Sequence, residues 1–230
     1  MITGMLEITS YIWGEIGWGI LETLGMTVIS TIIAHVIGIP LGVLLAVTDK
    51  GGLKPCIWLN KIVGVIVNIL RSIPFLILLV LVMPFTRAIL GTALGWQSVT
   101  VPLTIAAAPF IARLTETSLK EVDSGLIEAS LACGASPFKT MWKTLLPEAV
   151  PSLISNAAVA LVTIIGYSAM AGFCGGGGLG TIALTYGYYR NNTTVMIVTV
   201  VFIVIIVQVF QELGLWLAKK RDRRSKGMAK

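Results

Sequence analysis

Residues 23–48 form a run of 26 positions without a single Asp, Glu, Lys or Arg. Wound as a helix the run is about 39 Å long, enough to cross a ~30 Å hydrocarbon core with some tilt. A chain holding such a segment is built for a bilayer. The remainder agrees: 56% of the 230 residues are hydrophobic and only 12% are charged, which excludes an ordinary soluble domain. Four further apolar stretches follow, so the expected fold is all-α and integral to the membrane. Its five transmembrane helices fall at 21–47, 62–83, 99–118, 151–171 and 193–217.

The cations set the orientation. Of 17 Lys and Arg, fourteen fall on one side of these spans: Lys50, Lys54 and Lys61, then Arg113, Lys120, Lys139 and Lys143, then seven from Lys219 onward. Only Arg87 and Arg190 fall on the other, and Arg71 lies inside a span. Cytoplasmic connections carry the excess of Lys and Arg, so the N-terminus is expected outside and the C-terminus in the cytosol. The division is then an extracytoplasmic segment 1–20, a membrane domain 21–217 and a basic cytosolic tail 218–230. A net charge of +6 raises the question of nucleic acid, but cations beside apolar spans report topology, and no nucleic-acid partner is expected. The tail can hold anionic headgroups of the bilayer. Residues 1–22 carry Glu7, Glu15 and Glu22 and no cation, unlike a secretory signal. Cys56, Cys133 and Cys174 are odd in number and widely spaced, which indicates neither a zinc site nor a disulfide framework.

Polar residues inside the spans are the candidates for function. Arg71, in Asn68-Ile69-Leu70-Arg71-Ser72-Ile73-Pro74-Phe75, costs about 2.5–3.5 kcal/mol near mid-membrane and so should face protein or water. It either clamps carbonyls loosened by Pro74 or lines a permeation path. His35 reads as a neutral, hydrogen-bonded packing residue, with a proton relay as the alternative. Gly25, Gly38 and Gly42 on the same span suggest close helix packing. Arg113 and Glu116, three apart, can pair. Pro84 is read as the end of the second span. Tyr167, Ser168 and Met170 sit at the outer end of the fourth span, where a pore can narrow. The glycines that follow, 175–178 and Gly180, have no lysine of the phosphate-loop kind behind them, so they give a hinge or a tight re-entrant turn. No metal ligands, nucleophile–base pair or nucleotide site stand out, so an energy source has to come from a partner.

Between the third and fourth spans lies a polar island, residues 126–146. A helix is expected from about 127 to 133 with a stop at Gly134. A second starts with Ser136 as N-cap and Pro137 in first position, and ends at Pro147. On it Phe138, Met141, Trp142 and Leu145 share one face. Two readings stay open from these residues: a basic amphipathic helix lying on the membrane surface, or an element that docks a partner.

The order Glu128, Ala129, Ser130, then Gly134, then Leu146 and Pro147 resembles the EAA loop of the inner-membrane permeases of ABC importers. Ser130 stands where that family has Ala, and Thr144 where it has Ile. The resemblance extends over about 18–217 to the permeases of methionine ABC importers. It is carried by Leu21, Glu22, Thr23 and Leu24, by 68–75, by 101–104 and 107–113, by 117–146, by 166–170, and by 177–180 and 186–188. At 171–175 the chain departs, with Phe173 and Cys174 where the family is richer in Gly and Ala. The resemblance implies a multi-pass protein of the bacterial inner membrane that works as a homodimer with the pore on the two-fold axis. It implies two ABC ATPase subunits that bind the ATP and Mg, no cofactor in this chain, and an extracytoplasmic substrate-binding lipoprotein. The loop 124–147 would hold a cytosolic coupling helix. The expected coupling residues are Glu128, Ala129, Ser130, Gly134, Ser136, Pro137, Phe138, Met141, Trp142, Leu146 and Pro147. Among them Gly134 would allow the turn, with Phe138, Met141 and Trp142 as anchors for the ATPase. Arg71, Tyr167, Ser168 and Met170 are the candidates for the translocation path. The substrate implied is methionine, D- or L-. Another amino acid, a small osmolyte, an ATP-independent channel or a membrane scaffold are the alternatives.

Overall fold

The computed structural model describes residues 10–221, and among them no strand occurs. Among the described residues nine α-helices follow in chain order: α1 Ser10–Thr48, α2 Ile57–Ser72, α3 Phe75–Leu90, α4 Trp96–Lys120, α5 Ser124–Ala132, α6 Pro137–Thr140, α7 Leu146–Ala171, α8 Gly178–Ile182 and α9 Thr193–Arg221. Wider π-helical turns extend α6 over Met141–Leu145 and α8 over Ala183–Tyr189. Four helical runs are long and apolar enough to cross a membrane: Tyr11–Thr48, Trp96–Lys120, Pro137–Cys174 and Thr193–Arg221.

The expected second span is not one helix. α2 and α3 meet the test only together, and they bend by 104° at the break between them. A fifth crossing exists only if this bent pair is counted as one. The cause is Pro74: it lacks an N–H and forces the residue before it out of helical geometry, so α3 restarts after it. Pro84 does not end the span as expected. It sits inside α3, which runs on to Leu90 and stops at Gly91 in the left-handed conformation. One proline forfeits one intrahelical bond, the one its N–H would have donated to the Val80 carbonyl, and the helix carries on past it. α1 starts at Ser10, eleven residues ahead of the expected span, so 10–20 are helical and continuous with it. The last residues of the basic tail, 222–230, and residues 1–9 lie outside the described part.

The chain divides into two compact units, each fed by segments of α1, α4, α7 and α9. The first takes Met1–Ile33, Ile73–Ala107 and Leu161–Phe210. Its core joins Ile16 with Leu179, Ile182 and Val195, and Tyr186 and Phe202 pack on this cluster. The second takes Ala34–Ser72, Ala108–Ala160 and Gln211–Lys230. Its core is Ala46, Leu119, Val122, Leu145 and Ala149, covered by Val43, Leu53, Ile127, Leu146 and Leu153.

Close packing in the second unit depends on small residues, as expected for the first span. A Cβ on Gly38 would come within 2.7 Å of the Ala108 carbonyl oxygen and 2.8 Å of Ile111. One on Gly42 would meet Thr115 Cβ at 2.5 Å. The four-residue spacing puts both glycines on one face of α1, and α4 lies in that groove. Most of α9 is uncovered: Val204, Ile205, Val209 and Leu213 are all exposed apolar residues, the surface a helix offers to lipid.

Candidate functional site

The polar island folds as two helices around a turn. Asp123 caps α5, its carboxylate accepting from the Gly125 N–H at 2.7 Å, so α5 begins three residues ahead of the expected start. The stop falls where expected. Gly134 adopts φ +80°, a region costly for a residue with Cβ, and its N–H donates to Leu131 O. The Ala135 N–H reaches Ser130 O at 3.2 Å, closing the helix end. Ser136 then accepts from the Lys139 N–H at 3.3 Å and Pro137 opens α6, as the capping pattern predicts.

Beyond Thr140 the structure departs from expectation. Residues Met141–Leu145 form a π turn, in which the Leu146 N–H reaches back five residues to Met141 O. Two corrections follow. The face read from plain helical spacing splits: Phe138 and Trp142 are 70% and 57% exposed, Met141 is half-buried, and Leu145 is 4% exposed in the core. Pro147 also fails to end the element. It lies in the first turn of α7, and helix is continuous over Pro137–Cys174. The π turn widens the backbone ahead of Pro147, which relieves the clash a proline ring otherwise makes with the carbonyl four residues back.

Three hydroxyls tie the two arms of the loop together. Ser130 Oγ lies 3.1 Å from Thr140 Oγ1, and Thr144 Oγ1 donates to Ser130 Oγ at 3.3 Å. Thr140 is fully buried. Sequence reading missed Thr140 and treated Thr144 as a mere departure, although Ser130 departs from the same pattern. The outer face is then free for aromatic side chains, and the Phe138 and Trp142 rings lie 6.2 Å apart, tilted by 60°. Glu128 and Leu131 line a cavity of about 400 Å³ with Asp49, Gly51 and Gly52. Ala129 is exposed beside Glu128, and Leu146 packs on the core below.

An ion network anchors α4, which leads into this loop. Arg113 pairs with Glu116 at 2.6 Å, the pairing its spacing suggests. The pair is not an isolated exposed one. Glu116 is buried and also accepts from Lys120 at 2.8 Å, while Lys120 reaches Asp49 at 2.7 Å. Arg113 donates further to the Gly64 carbonyl at 3.2 Å and to Asn68 at 2.9 Å, tying α4 to α2. The Lys120 ammonium beside Asp49, helped by the Lys50 N–H, holds the Asp49 carboxyl below the usual aspartate range.

The expected path residues divide between the units. Arg71 belongs to the second; it is exposed, with its guanidinium carbon 6.0 Å from the Phe110 ring, the outer limit of a cation–π contact. Tyr167, Ser168 and Met170 belong to the first. Tyr167 stacks on Phe75 at 4.8 Å with rings 7° from parallel. Ser168 is buried and donates to the Ile165 carbonyl of its own helix at 2.7 Å, so its hydroxyl is already used. Met170 is 49% exposed.

Residues 38–224 match the family described as binding-protein-dependent transport system inner membrane component. The probable D-methionine transport system permease protein of Vibrio cholerae is 47% identical over 203 residues, 88% of this chain and 90% of that protein. Its counterpart in Pasteurella multocida is 46% identical over 217 residues, 94% of this chain and the whole of that protein, 100%. Among solved structures, the MetNI methionine ABC transporter in an inward-facing conformation matches with a TM-score of 0.92 at 48% identity, covering 94% of this chain and 100% of the matched one. An amino acid ABC transporter crystallised with histidines shares the fold alone, with a TM-score of 0.79 at 16% identity.

Proposed function

The chain belongs to the binding-protein-dependent inner-membrane transport components, and from that premise we propose that it is the permease of an ATP-driven methionine importer, taking the D- or L-form. Like its relatives it is a multi-pass inner-membrane subunit whose ATPase is a separate subunit, so the chain itself is no enzyme and holds no cofactor. Two copies frame the pathway, an extracytoplasmic binding protein delivers substrate, and two ATPases dock on the loop 124–147. The distribution of cations supports a cytosolic loop and tail with the N-terminus outside.

One observation carries the reading. Phe138 and Trp142 present an uncovered aromatic pair on a helical run, Pro137–Cys174, that continues through the membrane span to Met170. Exposed, rigidly held aromatic residues are the anchors that fill a partner groove, and Glu128 and Gly134 orient them. An unbroken helix transmits a push applied at one end, so closure of the ATPases would rock the span and open the pathway alternately to each side. Met170 and Tyr167 narrow the pathway and Arg71 faces it. Ser168, whose hydroxyl is bonded to its own helix, supports that turn from behind.

The test is purification in mild detergent from native membranes. The ATPase is expected to co-purify with the wild-type chain, and Phe138→Ala with Trp142→Ala is expected to weaken its retention roughly tenfold or more, as for paired interface anchors. Full retention by the double variant, or no ATPase with the wild type, would contradict the proposal.

A further inference from the structure

Four of the residues that carry the resemblance near the N-terminus, 21–24, have no part in docking or passage as described so far. The structure gives two of them a task. Thr23 is buried; its hydroxyl donates to the Gly19 carbonyl at 2.8 Å and accepts from the Leu179 N–H at 2.9 Å. Glu22 uses both carboxylate oxygens: one accepts from the Gly178 N–H at 2.6 Å, the other from the Trp18 indole N–H at 3.0 Å. The segment they hold contains Gly175, Gly177 and Gly178, all with φ near +70°. There is no slack around it, since a Cβ on Gly178 would come within 2.6 Å of Thr23 Oγ1 and of Met26 Cε.

The held segment packs backbone to backbone on the end of α7. A Cβ on Gly180 would meet Ala169 Cα at 2.7 Å, and one on Gly172 would meet the Thr181 nitrogen at 2.6 Å. Within the same turn the Gly176 N–H donates to Ala171 O at 3.1 Å, and Gly175 O accepts from the Gly95 N–H at 3.0 Å. Residues 169, 171 and 172 are thus packed on both sides of Met170, whose apolar side chain is exposed, as is that of Phe173 just beyond. The backbone on either side of Met170 therefore packs against the glycine segment, and that segment is hydrogen-bonded to α1 through Glu22 and Thr23.

We propose that Glu22 and Thr23 are positioning residues of the gate: they latch the glycine segment to α1 and thereby keep Met170 in the closing position. The inference rests on the permease reading. The residues touch no substrate and act through 175–180. Release of the latch lets the segment lift from Ala169 and the gate relax. Loss of a hydrogen bond to a charged or buried group corresponds to about tenfold in such an equilibrium.

The test uses the whole transporter, permease with ATPase, in sealed lipid vesicles loaded with labelled methionine and given no ATP. Thr23→Val keeps the side-chain shape and removes the acceptor; Glu22→Gln keeps one acceptor of two. Both are expected to raise passive efflux, Thr23→Val by about tenfold, while Thr23→Ser restores the wild-type rate. Variants that assemble with the ATPase and leak no faster than wild type overturn the inference. So do variants that lose only assembly or thermal stability, because that is what a merely structural contact would give. ATP-driven uptake by wild-type vesicles is measured alongside. Its absence counts against the permease reading, and its presence beside leak-free variants counts against the latch alone.

Discussion

At the scale of single residues, the charges do more than suggest an orientation in the membrane. Arg113 and Glu116 were legible as a pair because they are three apart on one helix. Their extension to Lys120 and Asp49 was only half legible, since Asp49 sits beyond the end of another helix. The network has a pH signature. The Asp49 carboxyl lies below its ordinary range in the folded protein, first because Lys120 donates to it. A depressed folded value stabilises the fold at any pH above the ordinary aspartate range, and the contribution is lost as pH falls through the folded value. Thermal melts of wild type and Asp49→Asn in detergent should therefore differ by a constant amount from neutral to mildly acidic pH. The gap should close below the ordinary aspartate range. A gap that is absent at neutral pH would show the Asp49–Lys120 contact to be without effect.

At the scale of elements, whatever depends on near neighbours could be read in advance. Ser136 and Pro137 announce a helix start, and Gly134 announces a stop, because each acts through its own backbone or the next turn. Prolines misled where the surroundings absorb them: Pro84 inside α3, and Pro147 behind a π turn that plain helical spacing does not anticipate. The same turn moved Leu145 into the core and left Phe138 and Trp142 outside. Contacts between distant segments gave no local sign. Glu22 and Gly178 are 156 positions apart, and nothing near either residue names the other. The loop offers an intermediate case, since Ser130 and Thr144 depart together from the EAA pattern and meet in space. A double-mutant cycle of Ser130→Ala and Thr144→Ile, read by thermal melting, is expected to show a coupling of about 0.5–1 kcal/mol, with the double variant less damaged than the sum. Additive effects would mean that the hydroxyls stabilise the loop independently.

At the scale of the whole molecule, the chain is a membrane helix bundle whose ATPase is a separate subunit, and the proposed drive enters through one loop. The membrane character, the helical class and the loop were legible from apolar run lengths and from the polar island between them. In the proposed mechanism the aromatic pair would serve as a handle, the helical run Pro137–Cys174 as the connection and the glycine segment held by Glu22 and Thr23 as a catch. The most direct test is uptake of labelled methionine into vesicles that hold the purified permease with its ATPase, with the binding protein supplied at the extracytoplasmic face. Methionine should accumulate above the outside concentration with ATP at the ATPase face and not without it. Equilibration of methionine at the same rate with or without ATP would mark a channel and overturn the permease reading.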